Sequence, residues 1–199
     1  MVFNKSAIKE RSRRVLDPGV TLLASIGVSP LLVSVLGLAG SFCGAYVIAR
    51  GSLFWGGVWV FASGVCDVLD GSLARHRGQE TKFGAFIDST FDRVSEFVIY
   101  GAILFYYIER GHPLLLLAVI WVAMGGSFLV SYARARIEGL GHRCTVGLLE
   151  RPERLTLLIA GLILGHTVLV LALFLIAFGA VITVLQRIQR AYQVTRREP

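Results

Sequence analysis

The chain is short of charge, and shorter still of acid. Only 17% of its 199 residues are charged, 13 acidic against 20 basic, where a water-soluble domain carries about a quarter. With 55% hydrophobic residues, such a chain is composed for lipid rather than for water. Cysteine is scarce as well. Cys43, Cys66 and Cys144 are odd in number and spaced unlike metal ligands, which supports neither a disulfide framework nor a zinc site. The sequence has no solenoid repeat, no low-complexity tract and no cleavable signal-peptide pattern, so residues 1–199 read as one membrane domain.

What the chain has in quantity is long apolar runs that approach the roughly 20 residues needed to cross the hydrocarbon core. They cover Leu31 to Ala49, Leu53 to Cys66, Ala85 to Ile108, Pro113 to Tyr132, Leu155 to Gly165 and Val168 to Leu185. The expected fold is all-α and integral to the membrane, with six transmembrane helices in a core over residues 18–191 and a basic tail over 192–199. The fifth run is short, and only His166 and Thr167 part it from the sixth, so the two can also be read as one bent hairpin. Lys5, Lys9, Arg11, Arg13 and Arg14 precede the first run, and further Lys and Arg cluster in every second loop, while the alternate side has only Arg50 and Arg110. Cationic loops stay in the cytoplasm, which puts both termini there. Residues 1–17 mix apolar side chains with those five cations and are expected to form an interfacial amphipathic helix. The net charge of +7 is explained by this topology and by anionic headgroups, so no nucleic-acid partner is expected.

Against this background, "DVLDGSLARHRGQETKFGAFIDSTFDR", Asp67 to Arg93, is conspicuous for its carboxylates. On a helix, residues three or four apart share a face. Asp67, Asp70, Gly71 and Ala74 form one stripe at the end of the second run, and Asp88 and Asp92 form another at the start of the third. A short loop between antiparallel neighbours turns the stripes toward each other. Carboxylates gathered so closely repel unless a cation joins them, and hard oxygen ligands suit Mg²⁺ or Mn²⁺. Gly71 and Gly84 leave room at the backbone, and Arg75 can pair with phosphates, so the stretch points to metal-assisted chemistry on a phosphate ester.

The run of Asp67, two residues, Asp70-Gly71, two residues, Ala74-Arg75, eight residues, Gly84, three residues, Asp88, three residues, Asp92 resembles the signature of the CDP-alcohol phosphotransferase family. The resemblance implies a six-helix membrane enzyme, usually a homodimer, with a cytoplasm-facing polar cavity, in which an acceptor alcohol displaces CMP from a CDP-linked lipid. By it Asp67, Asp70 and Asp88 are ligands of a two-metal centre, and Asp92 shares that site or acts as general base. Gly71, Ala74, Arg75, Thr81 and Gly84 belong to the CDP-lipid site. Pro30 and Ser34 line its nucleotide part, although Leu31 stands where the family often has Asn. No covalent intermediate is needed, so direct displacement with inversion at phosphorus is expected.

The signature does not choose the acceptor. "SYARARIEG", "ERPERL" and "QRIQR" lie on the aspartate side of the membrane and are rich in Arg, which suits a phosphate monoester. These segments look like those of the phosphatidylinositol-phosphate synthase branch and its archaeal-lipid counterparts, whose acceptor is inositol 1-phosphate. The resemblance assigns Ser131, Arg154 and Arg187 to the acceptor phosphate, with Arg134 and Arg151 nearby. Phosphatidylglycerophosphate synthesis, with glycerol 3-phosphate as the phosphorylated polyol, is the nearest competitor. A membrane prenyltransferase would need widely separated Asp motifs in a longer chain, and a small cation or proton transporter would place its acids at midplane rather than at one face.

Overall fold

The computed structural model describes residues 18–196, and everything said of structure below concerns these. The expected interfacial helix over 1–17 and the last three residues of the tail lie outside them. Among the described residues the chain is helical throughout, without strands. A helical stretch α1 at 18–25 leads into α2 (Pro30–Ala49), α3 (Leu53–His76), α4 (Lys82–Glu109), α5 (Leu114–Gly139), α6 (Arg151–Leu164) and α7 (His166–Thr195). Local chemistry sets the starts. Ser29 accepts from the Leu32 amide ahead of Pro30, whose missing N–H costs nothing in a first turn. Thr81 caps α4 by accepting from the Gly84 amide at 2.9 Å.

Four helices are long and apolar enough to cross a membrane: α2, α3, α5 and α7. Of the rest, α4 and α6 differ for visible reasons. α4 carries Asp88, Asp92, Arg93 and Glu96 along its first half, and α6 has 14 residues, which rise only about 21 Å. The helices run past the apolar runs at the polar end, α3 to His76 and α5 to Gly139. α6 and α7 are separate helices parted by Gly165, whose φ of 102° is a left-handed backbone that a side chain would disfavour.

Packing follows the small residues. A Cβ on Gly44 would meet the backbone oxygen of Gly56 at 3.3 Å, and one on Gly161 would meet the Leu169 backbone at 2.8 Å, so α2 on α3 and α6 on α7 approach too closely for anything larger. One apolar core joins Ile48, Val60, Ile103, Tyr107, Ile120, Leu162 and Leu173 from six helices. Trp55, Trp121, Phe178 and Leu114 face outward, up to 81% exposed, while Asp70, Glu96, Arg154 and Arg187 are buried. Charged side chains sealed inside while large apolar ones face outward is the arrangement lipid demands and water forbids.

Candidate active site

α3 and α4 deliver the carboxylates as their spacing predicts. Ligand oxygens of Asp67, Asp70 and Asp88 all lie within 4.8 Å of one another. Asp70 is buried at 4% exposure and takes a 2.5 Å hydrogen bond from the Ser34 hydroxyl of α2. Three carboxylates at this separation, with no imidazole or thiolate in the group, fit a hard divalent ion. Asp92 stands beside the trio. Its Oδ1 lies 2.5 Å from Nη2 of Arg151, whose Nη1 donates to Asp67 Oδ2 at 2.8 Å, and its Oδ2 is 3.4 Å from Arg93.

Two cavities meet at these aspartates. The outer one, about 350 Å³, is lined by Pro30, Ser34, Gly71, Ala74, Arg75, Thr81 and Gly84, every residue that the family resemblance assigns to the CDP-lipid, together with Asp70 and Asp88. Gly71 and Gly84 leave its walls bare of side chains, and a Cβ on Gly84 would sit 3.0 Å from Thr81 Oγ1. The inner one is narrow, about 30 Å³; it shares Ser34, Asp70 and Asp88 with the first and adds Asp67, Asp92, Glu96, Arg151 and Arg154. Asp70 and Asp88 therefore border both compartments, and Asp67 borders the inner one.

The chain belongs to the CDP-alcohol phosphatidyltransferase family. The family model matches residues 20–185, which include both cavities and all four aspartates. A phosphatidylinositol phosphate synthase of Streptomyces avermitilis is 38% identical over 187 residues, 88% of this chain and 77% of that protein. An archaetidylinositol phosphate synthase of Methanothermobacter thermautotrophicus is 36% identical over 156 residues, 78% of this chain and 75% of that one. The phosphatidylinositol phosphate synthase of Mycobacterium tuberculosis, solved with CDP-DAG bound, superposes with a TM-score of 0.83 at 32% identity, covering 90% of this chain and 94% of that one. The same enzyme solved with manganese and citrate gives 0.82 at 32%, covering 88% of each chain. The protein is thus a CDP-alcohol phosphotransferase, of a family that uses a divalent metal.

The arginines are arranged less simply than their sequence suggests. Arg151 and Arg154 line the inner cavity, but Arg151 is held by Asp67 and Asp92, and Arg154 is 1% exposed and bonded to Glu96. Arg187 is 2% exposed and donates to the carbonyl oxygens of Val130 and Val146, next to buried Ser131. It lies close enough to Arg154 and Arg134 for their charges to interact, while lining neither cavity. Arg134 is on the surface, paired with Glu138 one turn on. Glu96, which lines the inner cavity and pairs with Arg154, is the acid that sequence reasoning missed. The signal was present: it continues the four-residue stripe of Asp88 and Asp92 into an apolar run where a lone acid needs a partner.

Proposed function

We propose that this protein transfers a phosphatidyl group from a CDP-linked lipid to inositol 1-phosphate, releasing CMP. The observation that carries the reading is the layout: one cavity with an open, glycine-walled approach, another holding Arg151 and the buried Arg154, and the Asp70 and Asp88 carboxylates common to both. A two-substrate transfer needs that layout, because the reacting phosphorus must sit where the two substrates meet.

In this reading Gly71 and Gly84 let the diphosphate approach the backbone, and Arg75 pairs with it from the cavity wall. Asp67, Asp70 and Asp88 hold divalent metal, proposed as two ions of Mg²⁺ or Mn²⁺, which when bound neutralises the diphosphate. Ser34 fixes the Asp70 carboxylate. Asp92 faces the inner cavity and takes the proton of the acceptor hydroxyl as its oxygen bonds to the lipid-side phosphorus. The bond from that phosphorus to the CMP oxygen breaks in the same step, so configuration inverts. Ser131, Arg154 and Arg187, with Arg134 and Arg151 nearby, hold the acceptor phosphate, once it displaces part of their present pairing.

Six spans complete the bundle in this proposal, α4 crossing with its acids turned inward and α6 crossing as a short span beside them. Both termini and the site face the cytoplasm of the cell membrane, as the cationic loops require. Residues 1–199 form one domain, and a homodimer is the expected assembly on family grounds. The relatives favour inositol 1-phosphate over glycerol 3-phosphate.

Purified protein given CDP-diacylglycerol, Mg²⁺ and each acceptor in turn, with CMP release followed, tests the reading. Turnover with inositol 1-phosphate is expected. Turnover with glycerol 3-phosphate alone would reject it, and a parallel series with an ether-linked donor decides between phosphatidyl and archaetidyl transfer.

A further inference from the structure

One carboxylate in the inner cavity is only half used. Glu96 offers a single oxygen, Oε1, to two donors of Arg154, Nε at 3.1 Å and Nη2 at 2.9 Å, while its Oε2 has no hydrogen-bond partner. The residue is 6% exposed. One turn further along α4 the hydroxyl of Tyr100, wholly buried, also has no formed hydrogen bond, with the buried Ser127 hydroxyl of α5 beside it. Glu96 and Tyr100 both line the cavity that holds the four aspartates. Buried polar atoms are nearly always satisfied, and a carboxylate oxygen left over beside a polar cavity is satisfied by what enters it.

The chemistry of the pair defines what that is. An ionised carboxylate only accepts, so its partner must donate, and a phosphate group would be repelled. A phenol both donates and accepts. Neutral hydroxyls fit the two together. Position fits as well, since Glu96 lies one helical turn from Asp92 and grips Arg154. An acceptor with its reacting hydroxyl at Asp92 and its phosphate drawn to the arginines must pass Glu96.

We propose that Glu96 is a specificity-determining residue. Its Oε1 positions Arg154, and its Oε2, with Tyr100, binds hydroxyls of the acceptor that do not react. The proposal rests on the acceptor reading given above. Inositol 1-phosphate presents a ring of such hydroxyls and glycerol 3-phosphate far fewer, so the discrimination between them should pass through this carboxylate.

Three measurements decide it. In Glu96→Gln the amide oxygen still accepts from Arg154 but the second position becomes a donor. We expect the acceptor KM to rise about tenfold, the KM for CDP-diacylglycerol to stay within about twofold, and the preference for inositol 1-phosphate over glycerol 3-phosphate to fall. Tyr100→Phe should move the acceptor KM in the same direction. On the unaltered protein, inositol 1-phosphate analogues lacking one hydroxyl each should include at least one whose KM rises about tenfold. An unchanged preference in Glu96→Gln, or an analogue series with a uniform response, overturns the proposal, and the analogue series stands even if the variants do not fold. Absence of inositol 1-phosphate turnover by the unaltered protein would instead overturn the acceptor reading itself.

Discussion

Nη2 of Arg151 lies 2.5 Å from Oδ1 of Asp92, and the same guanidinium donates to Asp67, so the first residue of α6 ties together the acidic ends of α3 and α4. The arginine supplies positive charge where a divalent ion would. Removing it should leave Asp67 and Asp92 repelling each other. In a chelator, Arg151→Gln is expected to lower the thermal midpoint by about 3 °C, on the order of 1 kcal/mol for a partly exposed network in a chain of this size. Mn²⁺ should restore most of that loss. A midpoint indifferent to the substitution in chelator would show that the ion pair carries no weight.

Metal dependence should follow the trio rather than the quartet. Asp67, Asp70 and Asp88 share the 4.8 Å cluster, and Asp92 is paired outside it. Asp70→Asn is therefore expected to abolish Mn²⁺ binding along with CMP release. Asp92→Asn should keep binding within about tenfold while turnover falls by two to three orders of magnitude, as loss of a general base costs. Calorimetry with Mn²⁺ beside the CMP assay separates the two. Equal loss of binding in both variants would make Asp92 a full ligand. Chelation should stop the unaltered protein, and Mg²⁺ or Mn²⁺ should restart it.

The sequence announced the aspartates so clearly because the helical period alone puts Asp67 with Asp70 and Asp88 with Asp92, and a short loop does the rest. The seven residues that the family resemblance assigns to a CDP-linked lipid line one cavity, because they flank that loop or stand at the start of α2 opposite it. The arginines were legible as residues but not as partners. Arg154 finds Glu96, 58 positions away, and Arg187 finds the carbonyl of Val130 across 57. Such pairings are set by how α4, α5, α6 and α7 cross, which no local period encodes. The apolar runs stop short of the helix ends because polar residues continue the helix beyond them, as Asp67 to His76 do in α3.

Gly84 tests the outer cavity. A methyl there would press to 3.0 Å on Thr81 Oγ1, the atom that caps α4 and borders the cavity. Gly84→Ala should raise the KM for the CDP-lipid about tenfold with little effect on the acceptor, because the two compartments are distinct. Losing the cap costs about 1 kcal/mol and at most about 2, so the protein remains folded. Equal changes for both substrates would mean that the helix end moved as a whole.

Arg154 and Glu96 test the interior. Both are nearly sealed, at 1% and 6% exposure, and Glu96 has no other cationic hydrogen-bond donor than Arg154. Truncating one partner of such a pair strands the other charge, which costs about 3–5 kcal/mol. Arg154→Met should accordingly lower the thermal midpoint in detergent sharply. Adding Glu96→Gln to the same chain should recover most of the loss, since a neutral amide is far cheaper to bury than an unpaired carboxylate. The double variant should nonetheless stay inactive toward the phosphorylated acceptor, for its clamp is gone. Stability recovered without activity separates what the pair does for the fold from what Arg154 does for the substrate. If the double variant is as unstable as the single one, the guanidinium is holding the Leu149 carbonyl and the entry to α6 rather than answering the charge of Glu96.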